Sequence, residues 1–594
     1  MKLQTITPHF LPVERAQRVG RLLVLCAIVG VAAGLGAIAL EWGTELLQHV
    51  LLYRFAGYRA GDHSLLRPEL LAVLPIVGGL IGGFIVLKGA PSAAGSGADH
   101  AIAAYHHHRG LIPWRVPVVK MIASTITLGF GGSAGREGPI AQIGAGIGSV
   151  LATRLRLSVH ERRLLMIAGM GAGIGAIFRA PLAGALFSAE VLYREMDLEF
   201  EVIVPAMISS IVGYSVFTLQ FGSDRLFDTP PFVFGGPAEL LPYFVLALVV
   251  AAGAKAFVVT FAQVRAFFTR LSVPPLAKPV IGGAVVGSFA FVLPEGPGAG
   301  YHLVQSAISG RPEVGFLVGA VLVKIIATSF TVGSGQSGGV FGPAIVIGGL
   351  LGCVVGLFFD HYVPQISPPV GAFVIVGMAG FFSAAANTPI STFIMVSEMT
   401  GNYDLLVPSM WVCVIAFLLV RRSTLYDNQI DQRTKSPVHL SEMMSSVLER
   451  LTVRDVLGDA EHEAPAVVRA DATLPQIVEQ FAGTHHAVFP VVDGDGRLLG
   501  VIDDEELRIA IGMEDLGGLL RARDLMSARL PALTPNQSLL AAMHTLVASR
   551  REELVVVDEQ DKTKLVGTVS RRDLVSTYDH RLQKEGTNPS LPAL

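Results

Sequence analysis

Gly135-Arg136-Glu137-Gly138-Pro139 lies in an apolar part of the chain, and Gly339-Val340-Phe341-Gly342-Pro343 repeats its Gly-x-x-x-Pro spacing 204 residues later. A proline and a glutamate, nine residues apart, follow each copy: Pro181 and Glu190 after the first, Pro389 and Glu398 after the second. A period this long is typical of two homologous halves of a membrane protein, in which broken helices from both halves meet at a central site.

Each Gly-x-x-x-Pro stretch opens an apolar, glycine-rich run, residues 140–151 in the first copy and 344–359 in the second. A turn that leads into a helix leaves backbone N–H groups without partners at the positive end of the helix dipole. Such helix ends bind anions. The repeat therefore predicts an anion site built from helix N-termini.

The composition separates a membrane part from a soluble part. Of the 594 residues, 51% are hydrophobic and 16% charged, the mean hydropathy is +0.55, and the charge is concentrated after residue 420. Several uncharged apolar runs reach the roughly 20 residues that cross a bilayer. Others are shorter and contain Gly or Pro, as expected where backbone lines a cavity. Cys26, Cys353 and Cys413 lie in apolar runs without the spacing of a metal site or a disulfide framework, so we expect them in the core.

Charge placement predicts the orientation. Arg15, Arg18 and Arg21 precede the first apolar run, which we interpret as a retained span, and Arg421 and Arg422 follow the last. By the positive-inside tendency both termini are cytoplasmic, and the chain crosses the cell membrane an even number of times. A net charge of −3 without a basic stripe does not favour a nucleic-acid partner. We find no nucleophile–base constellation, phosphate loop or His-Glu-x-x-His motif, so we expect no enzyme activity.

A second, shorter repeat appears in the soluble part. Val491-Val492-Asp493 with Gly500-Val501-Ile502 recurs 65 to 67 residues later as Val556-Val557-Asp558 with Gly567-Thr568-Val569. Each copy predicts helix, strand, turn, strand and helix. The pair resembles tandem cystathionine-β-synthase (CBS) domains.

The CBS resemblance implies a candidate adenine-nucleotide site. In that family the Asp of a Gly-x-x-Ser/Thr-x-x-Asp motif binds the ribose, and the second copy matches with Gly567, Ser570 and Asp573. The first copy departs, with Asp503 and Glu506 in those places. The alternative is that Ser570 caps a helix and the pair is a dimerisation strut.

Four segments of the membrane part carry a second resemblance. They are Gly95-Ser96-Gly97, the two Gly-x-x-x-Pro stretches and Leu425-Tyr426-Asp427, accompanied by Ala180-Pro181-Leu182-Ala183-Gly184 and Glu398-Met399-Thr400-Gly401-Asn402-Tyr403. In this order they resemble the CLC family of chloride channels and exchangers over about residues 20 to 430. The resemblance implies an all-α polytopic membrane fold with two inverted halves, and a homodimer with one pathway per subunit for chloride and other small anions. It implies no required cofactor.

The resemblance also implies the site residues. The backbone amides of Val340 and Phe341 and the hydroxyls of Ser96 and Tyr426 bind the central chloride, and Ser96 favours chloride over nitrate. These groups supply donors without a fixed charge that would trap the ion. The anion-pathway motif comprises Gly135, Arg136, Gly138, Pro139, Gly339 and Pro343.

Glu137 is the predicted gate. A carboxylate inside a membrane is costly and is a functional candidate by default. Tethered at a helix N-terminus, it occupies the place of an anion and leaves when protonated. Arg136 adds positive field at the external mouth.

Position 191 bears on the choice between channel and exchanger. Exchangers of the family usually carry an acid directly after the glutamate that corresponds to Glu190, whereas this chain has Val191, which cannot titrate. The sequence therefore favours a passive chloride channel with voltage- or pH-dependent gating. The alternative is a chloride/proton antiporter that uses another inner acid such as Glu195, placed one helical turn further on. Glu190 and Glu398 are expected to be buried acids bonded to backbone.

Two departures accompany these motifs. Asp99 replaces the proline of the family's Gly-Ser-Gly-Ile-Pro segment, and residues 106–108 are three consecutive histidines, which we expect in a solvated loop or as a weak pH sensor.

The predicted organisation is a cytosolic segment 1–19, the membrane domain 20–430 with halves of about 20–225 and 235–430, a linker 431–450, CBS domains 451–512 and 520–580, and a tail 581–594.

Overall fold

The computed structural model describes residues 13–58, 67–296, 298–310, 312–439, 447–458, 464–482, 484, 486–512, 519–528, 531–549 and 551–584. They divide between Val438 and His439 into two compact units. Each unit is built around its own hydrophobic clusters.

The first unit is helical in all its long elements. Its α-helices are α1 (Val13–Gln48), α2 (Pro68–Gly89), α3 (Gly97–His107), α4 (Arg115–Gly129), α5 (Glu137–Arg154), α6 (Val159–Ile177), α7 (Pro181–Glu190), α8 (Phe200–Phe221), α9 (Leu240–Arg270), α10 (Ala277–Ser288), α11 (Tyr301–Ser309), α12 (Val314–Gly333), α13 (Phe341–Tyr362), α14 (Val370–Ala386), α15 (Pro389–Thr400) and α16 (Leu406–Val420). A π-helical segment, His49–Phe55, continues α1.

Helix length varies as the sequence predicts. Within the described residues, seven segments are long and apolar enough to cross a membrane: Gly20–Phe55, Pro68–Gly89, Phe200–Phe221, Pro237–Arg270, Val314–Gly333, Phe341–Tyr362 and Tyr403–Val420. Between them lie short helices such as α7, with 10 residues, and α15, with 12. The prediction of a polytopic helical fold with short, interrupted helices is confirmed.

The first unit is built from two related halves. Helices α4 to α8 recur in order as α12 to α16. Gly135 and Gly339, equivalent residues of the two halves, pair in an antiparallel bridge. The helices that follow also cross in equivalent ways: a Cβ atom on Gly144 would lie 2.1 Å from the Gly169 carbonyl oxygen, and one on Gly348 would lie 2.5 Å from that of Gly377. Only glycine permits backbones to approach this closely. The expected inverted halves are present.

The second unit contains two small sheets. In the first sheet β1 (Val468–Arg469) runs parallel to β2 (Val488–Val492), which pairs antiparallel with β3 (Leu498–Asp503). In the second, β4 (Glu553–Val557) pairs antiparallel with β5 (Leu565–Ser570). The flanking helices are Val453–Leu457, Leu474–Ala482, Asp504–Ile511, Ala522–Leu525, Leu539–Ser549 and Arg571–Lys584. The predicted order of helix, strand, turn, strand and helix is confirmed in both copies.

Candidate functional site

Glu137 places its carboxylate at the N-terminus of α13. The backbone N–H of Gly342 donates to its Oε1 atom at 2.9 Å, and the residue is 4% exposed. Val340 and Phe341 begin the same helix turn, where amides have no intrahelical partner. The positive end of α13 thus meets a carboxyl group supplied by the chain itself.

The glycines of the motif make room for that carboxylate. A Cβ atom on Gly135 would lie 2.1 Å from Glu137 Oε1, and one on Gly339 would lie 2.4 Å from it. A Cβ atom on Gly138 would lie 2.7 Å from the Gly339 Cα atom. Pro139 and Pro343 each stand third in their helix, within the first turn. Proline is tolerated there because the missing N–H would have no helical acceptor.

A small void lies next to Glu137. Its lining includes Glu137, Phe341, Tyr426 and Ala98, together with Ile174, Phe178, Phe187 and Met395. Tyr426 is 2% exposed. The structure therefore brings four of the predicted site residues, Glu137, Gly138, Phe341 and Tyr426, around one cavity, while Ser96 and Val340 lie outside its lining.

Ser96 lies at the N-cap of α3, two residues before Ala98. Its Oγ atom is buried and, within the described part of the chain, has no hydrogen-bond partner. A buried hydroxyl without a partner calls for an explanation such as an unseen ion or water. Anion binding near the void would supply one.

Arg136 lines a second, larger cavity of about 1150 Å³. It forms an ion pair with Glu41, and its guanidinium lies 5.6 Å from the centre of the Tyr301 ring. His49 and His302 also line this cavity. Arg136, paired with Glu41, therefore lines a cavity other than the void next to Glu137.

Glu190 and Glu398 cap each other's helices. The carboxylate of Glu190, the last residue of α7, accepts from the amides of Ile390 and Ser391 at 2.9 and 2.7 Å, in the first turn of α15. Glu398 in α15 accepts from the amide of Ala183 in α7 at 2.8 Å. Both acids bond to backbone as expected, but only Glu190 is fully buried, whereas Glu398 is half-buried. This arrangement ties the two halves together near the site.

The structure corrects the expected place of Glu195. Helix α7 ends at Glu190, so Glu195 does not lie one helical turn beyond Val191. The chain turns away because the amides of Arg194 and Glu195 bond to the carbonyls of Ile430 and Asp431. Glu195 is exposed and accepts from Gln432 Nε2 at 2.6 Å. Val191 itself is fully buried.

The structure also corrects the prediction that the three histidines lie in a solvated loop. Helix α3 extends through His107, and His106 is 2% exposed. His106 bonds to Ser436 Oγ and to the Leu192 carbonyl, whereas His107 and His108 are exposed. Neighbouring positions on a helix face different directions, which separates the three side chains.

Asp99 bridges the two segments that carry the predicted hydroxyl donors. Its carboxylate accepts from the amide N–H and the side-chain Nδ2 of Asn428 at 3.0 and 2.9 Å. Ser96 lies three residues before Asp99, and Tyr426 two residues before Asn428. This substitution for proline therefore joins the Ser96 turn to the Tyr426 segment.

Sequence reasoning missed two buried lysines. Lys120 in α4 donates to the Ala93 and Gly95 carbonyls at 3.1 and 2.7 Å, directly before Ser96. Lys324 in α12 donates in the same way to Gly296 and Gly298, at 3.0 and 2.7 Å. Both lysines are 0% exposed, and they are 204 residues apart, the same offset as the paired glycines. That shared offset in apolar helices was the available signal.

In the second unit the predicted nucleotide residues act as helix caps. Asp573 accepts from the amide and the hydroxyl of Ser570 at 2.8 and 2.7 Å. In the first copy Asp503 forms an ion pair with Arg551 at 2.9 Å, and Glu506 accepts from the Asp503 amide. Partial burial and the interaction with the Asp503 carboxyl group raise the pKa of Glu506 to about 7.

Comparison with known proteins identifies the family of the first unit. Residues 78–421, more than half of the chain, match the family described as voltage gated chloride channel. The chain belongs to this family, the CLC family. Residues 453–512 and 522–580 each match the CBS domain. The resemblances inferred from the motifs are confirmed.

Curated CLC relatives of this chain are named as exchange transporters. The chain is 31% identical over 406 residues to the H(+)/Cl(-) exchange transporter ClcA of Yersinia pestis bv. Antiqua (strain Angola), which covers 67% of this chain and 84% of that protein. It is 30% identical over 414 residues to the protein of the same name from Salmonella arizonae, covering 69% and 87%. The chain is thus a member of an anion-transporting membrane family.

Solved CLC structures share the fold. A slow cyanobacterial Cl−/H+ antiporter superposes with a TM-score of 0.61 at 22% identity, covering 68% of this chain and 94% of that one. A eukaryotic CLC transporter gives a TM-score of 0.57 at 19% identity and covers 94% of this chain and 98% of that one.

Proposed function

We propose that this protein is a chloride/proton antiporter of the cell membrane. The observation that carries the proposal is the Glu137 carboxylate bonded to the Gly342 amide at the N-terminus of α13. A titratable group on the anion path can exchange places with chloride and carry a proton in the same cycle. The names of the matched relatives, which are H(+)/Cl(-) exchange transporters, support exchange.

The gating step follows from charge. While Glu137 is ionised, it competes with chloride for the positive end of α13. When it is protonated, it loses most of that attraction, swings away and admits chloride. Chloride then passes to a central site made by the amides of Val340 and Phe341 and the hydroxyls of Ser96 and Tyr426. Glu137 therefore serves both as gate and as outer proton carrier.

A passive channel is the second candidate, and Val191 favours it. The sequence alone pointed to a channel because this relay position cannot titrate. The relatives named as exchangers support the antiporter more strongly than Val191 supports the channel. An antiporter requires an inner proton-binding group at another position.

The deciding experiment is reconstitution into liposomes with a chloride gradient and no pH gradient. In an antiporter the flow of chloride drives protons across the membrane and creates a pH difference, and Glu137→Gln abolishes that proton movement while chloride still passes. If chloride flux moves no protons and the reversal potential follows the chloride gradient alone, the channel is correct.

We infer three further properties from the family and from charge placement. The chain forms a homodimer with one pathway in each subunit, which light scattering in detergent can measure. Both termini are cytoplasmic, which accessibility of terminal tags in intact cells can test. The CBS pair binds an adenine nucleotide through Asp573 and Ser570.

A further inference from the structure

A buried polar cluster lies beside the C-terminal end of α7. It consists of Tyr105, His106, Tyr193, Glu199 and Ser436, each at most 3% exposed. Glu199 is at its centre: the Tyr193 phenol donates to its Oε2 atom at 2.6 Å. The Tyr105 phenol approaches the same carboxylate from α3.

One cation connects the cluster to solvent. Arg433 Nε lies 3.3 Å from Glu199 Oε1, and the Arg433 side chain is 29% exposed. On the other side Arg163 of α6 faces the cluster, with its guanidinium 5.8 Å from the centre of the Tyr105 ring. Glu199 is thus a buried carboxylate one side chain away from water, on the part of the unit from which the chain leaves for the CBS pair.

Hydrogen bonds join the cluster to the chain on both sides of Val191. The Glu199 amide donates to the Ala189 carbonyl at 3.1 Å, two residues before Val191. His106 Nε2 bonds to the Leu192 carbonyl at 3.1 Å, one residue after it. The cluster therefore flanks the position where relatives of the exchanger type usually carry an acid.

We propose that Glu199 is the internal proton-binding residue of the exchange cycle, in place of the acid missing at Val191. The inference rests on the proposed antiport function. Its carboxylate takes up one proton from the solvent reached past Arg433, passes it along the path towards Glu137, and is ionised again once in each turnover. Glu137 performs the corresponding step at the other end of the path.

His106 is assigned a positioning role. The Leu192 carbonyl can only accept, so Nε2 carries the hydrogen and Nδ1 accepts from Ser436 Oγ at 2.9 Å. Ser436 in turn accepts from the Val438 amide at 3.2 Å. The neutral imidazole is satisfied at both nitrogens and fixes the segment after Val191 against α3.

The other acids near α7 suit the task less well. Glu190 is fully buried and caps α15 through three hydrogen bonds from Ile390 and Ser391, so its carboxylate faces the opposite half and not the solvent. Glu195 is exposed and bonded to Gln432. Among these acids, Glu199 alone combines burial, a phenol donor and a charged neighbour that reaches solvent.

The test measures proton and chloride fluxes separately in liposomes containing the full-length protein. Glu199→Gln should lower chloride-driven proton flux by about 100-fold, the scale of a lost proton-transfer group, while chloride flux stays within about twofold. Glu201→Gln is the matched control, since Glu201 lies two residues on, is exposed and should leave both fluxes unchanged. Equal proton flux in the parent and Glu199→Gln proteins overturns the inference.

Tyr193→Phe is the second variant, and it serves also if Glu199→Gln does not fold. Removal of the phenol donor strengthens proton binding by the carboxylate, so the midpoint of the pH dependence of proton flux should move to higher pH. A purely structural role would leave that midpoint in place, and an unmoved midpoint contradicts the inference. If the parent protein moves no protons at all, the antiport function fails instead.

Discussion

Gly135 and Gly339 exchange two backbone hydrogen bonds, each N–H donating to the other residue's carbonyl at 2.8 Å. Because these residues are equivalent positions of the two halves, the approximate symmetry axis passes between them. The Glu137 carboxylate rests against both glycines and on the first turn of α13. Glu137 therefore lies at the symmetry axis, although the second motif has no glutamate at the equivalent position.

The glycine at 135 should control whether the carboxylate can occupy this place. In Gly135→Ala the three atoms nearest to the new methyl group would be those of the Glu137 carboxylate, so this side chain should be displaced. We expect faster chloride flux and weaker dependence on external pH, measured by chloride efflux from liposomes. Gly319→Ala is the control, because nothing lies within 4 Å of a Cβ atom there. Unchanged pH dependence in Gly135→Ala would place the gate elsewhere.

The two hydroxyls should contribute separately to anion binding. Tyr426→Phe should weaken chloride binding by roughly 0.5–1.5 kcal/mol, the net value of one hydrogen bond. Ser96→Pro should shift preference towards nitrate because it removes the other donor. Calorimetric titration with both anions measures the two effects, with Tyr403→Phe as an exposed control. Unaltered affinities in both variants would show that the ion binds elsewhere.

The reciprocal caps should differ in their contribution to stability. Glu190 is 0% exposed and accepts three bonds, whereas Glu398 is half-buried. Glu190→Gln leaves buried donors poorly satisfied at a cost of about 1–3 kcal/mol. It should lower the thermal unfolding midpoint in detergent more than Glu398→Gln does. Equal midpoints for the two variants would contradict this account.

Nucleotide binding by the CBS pair requires Asp573 to give up its hydrogen bonds with Ser570 and to bind a ribose instead. The second unit has its own cores, so residues 440–594 can be purified alone. We expect ATP, ADP or AMP to give binding heat in calorimetry and Asp573→Ala to abolish it. Ser549→Ala is a control outside the motif. Absence of heat with all three nucleotides would leave the pair as a dimerisation strut.

The same unit should be less stable at higher pH because of Glu506. Its pKa is raised to about 7 in the fold, above the value of 4.5 for an unperturbed glutamate, so the folded unit binds the proton more tightly than the unfolded chain. The stabilisation from this proton is fully present below the pKa of 4.5 and is lost as the pH rises through the folded pKa of about 7. The thermal unfolding midpoint should fall as the pH is raised from about 5 to about 8, and Glu506→Gln should make the midpoint less dependent on pH. The same slope in both proteins would refute the assignment.

Much of the membrane site was predictable from local motifs. Gly-x-x-x-Pro at a helix start predicts both free amides and a close backbone approach, and the structure places Glu137, Phe341 and Tyr426 around one void. Glu195 was misplaced because the periodicity of α7 was extended past its end. The turn after Glu190 is set by pairing with residues 430–431, which are remote in sequence.

The sequence by itself determined the two halves, the helical membrane part, the CBS pair and the family, because these depend on repeat spacing, hydropathy and short motifs. Only the tertiary structure decided which buried groups meet. Tyr105, Glu199 and Arg433 come from segments more than 90 residues apart, and the capping of α15 by Glu190 joins opposite halves. Such contacts arise from the packing of helices around the symmetry axis, and no local pattern in the chain encodes them.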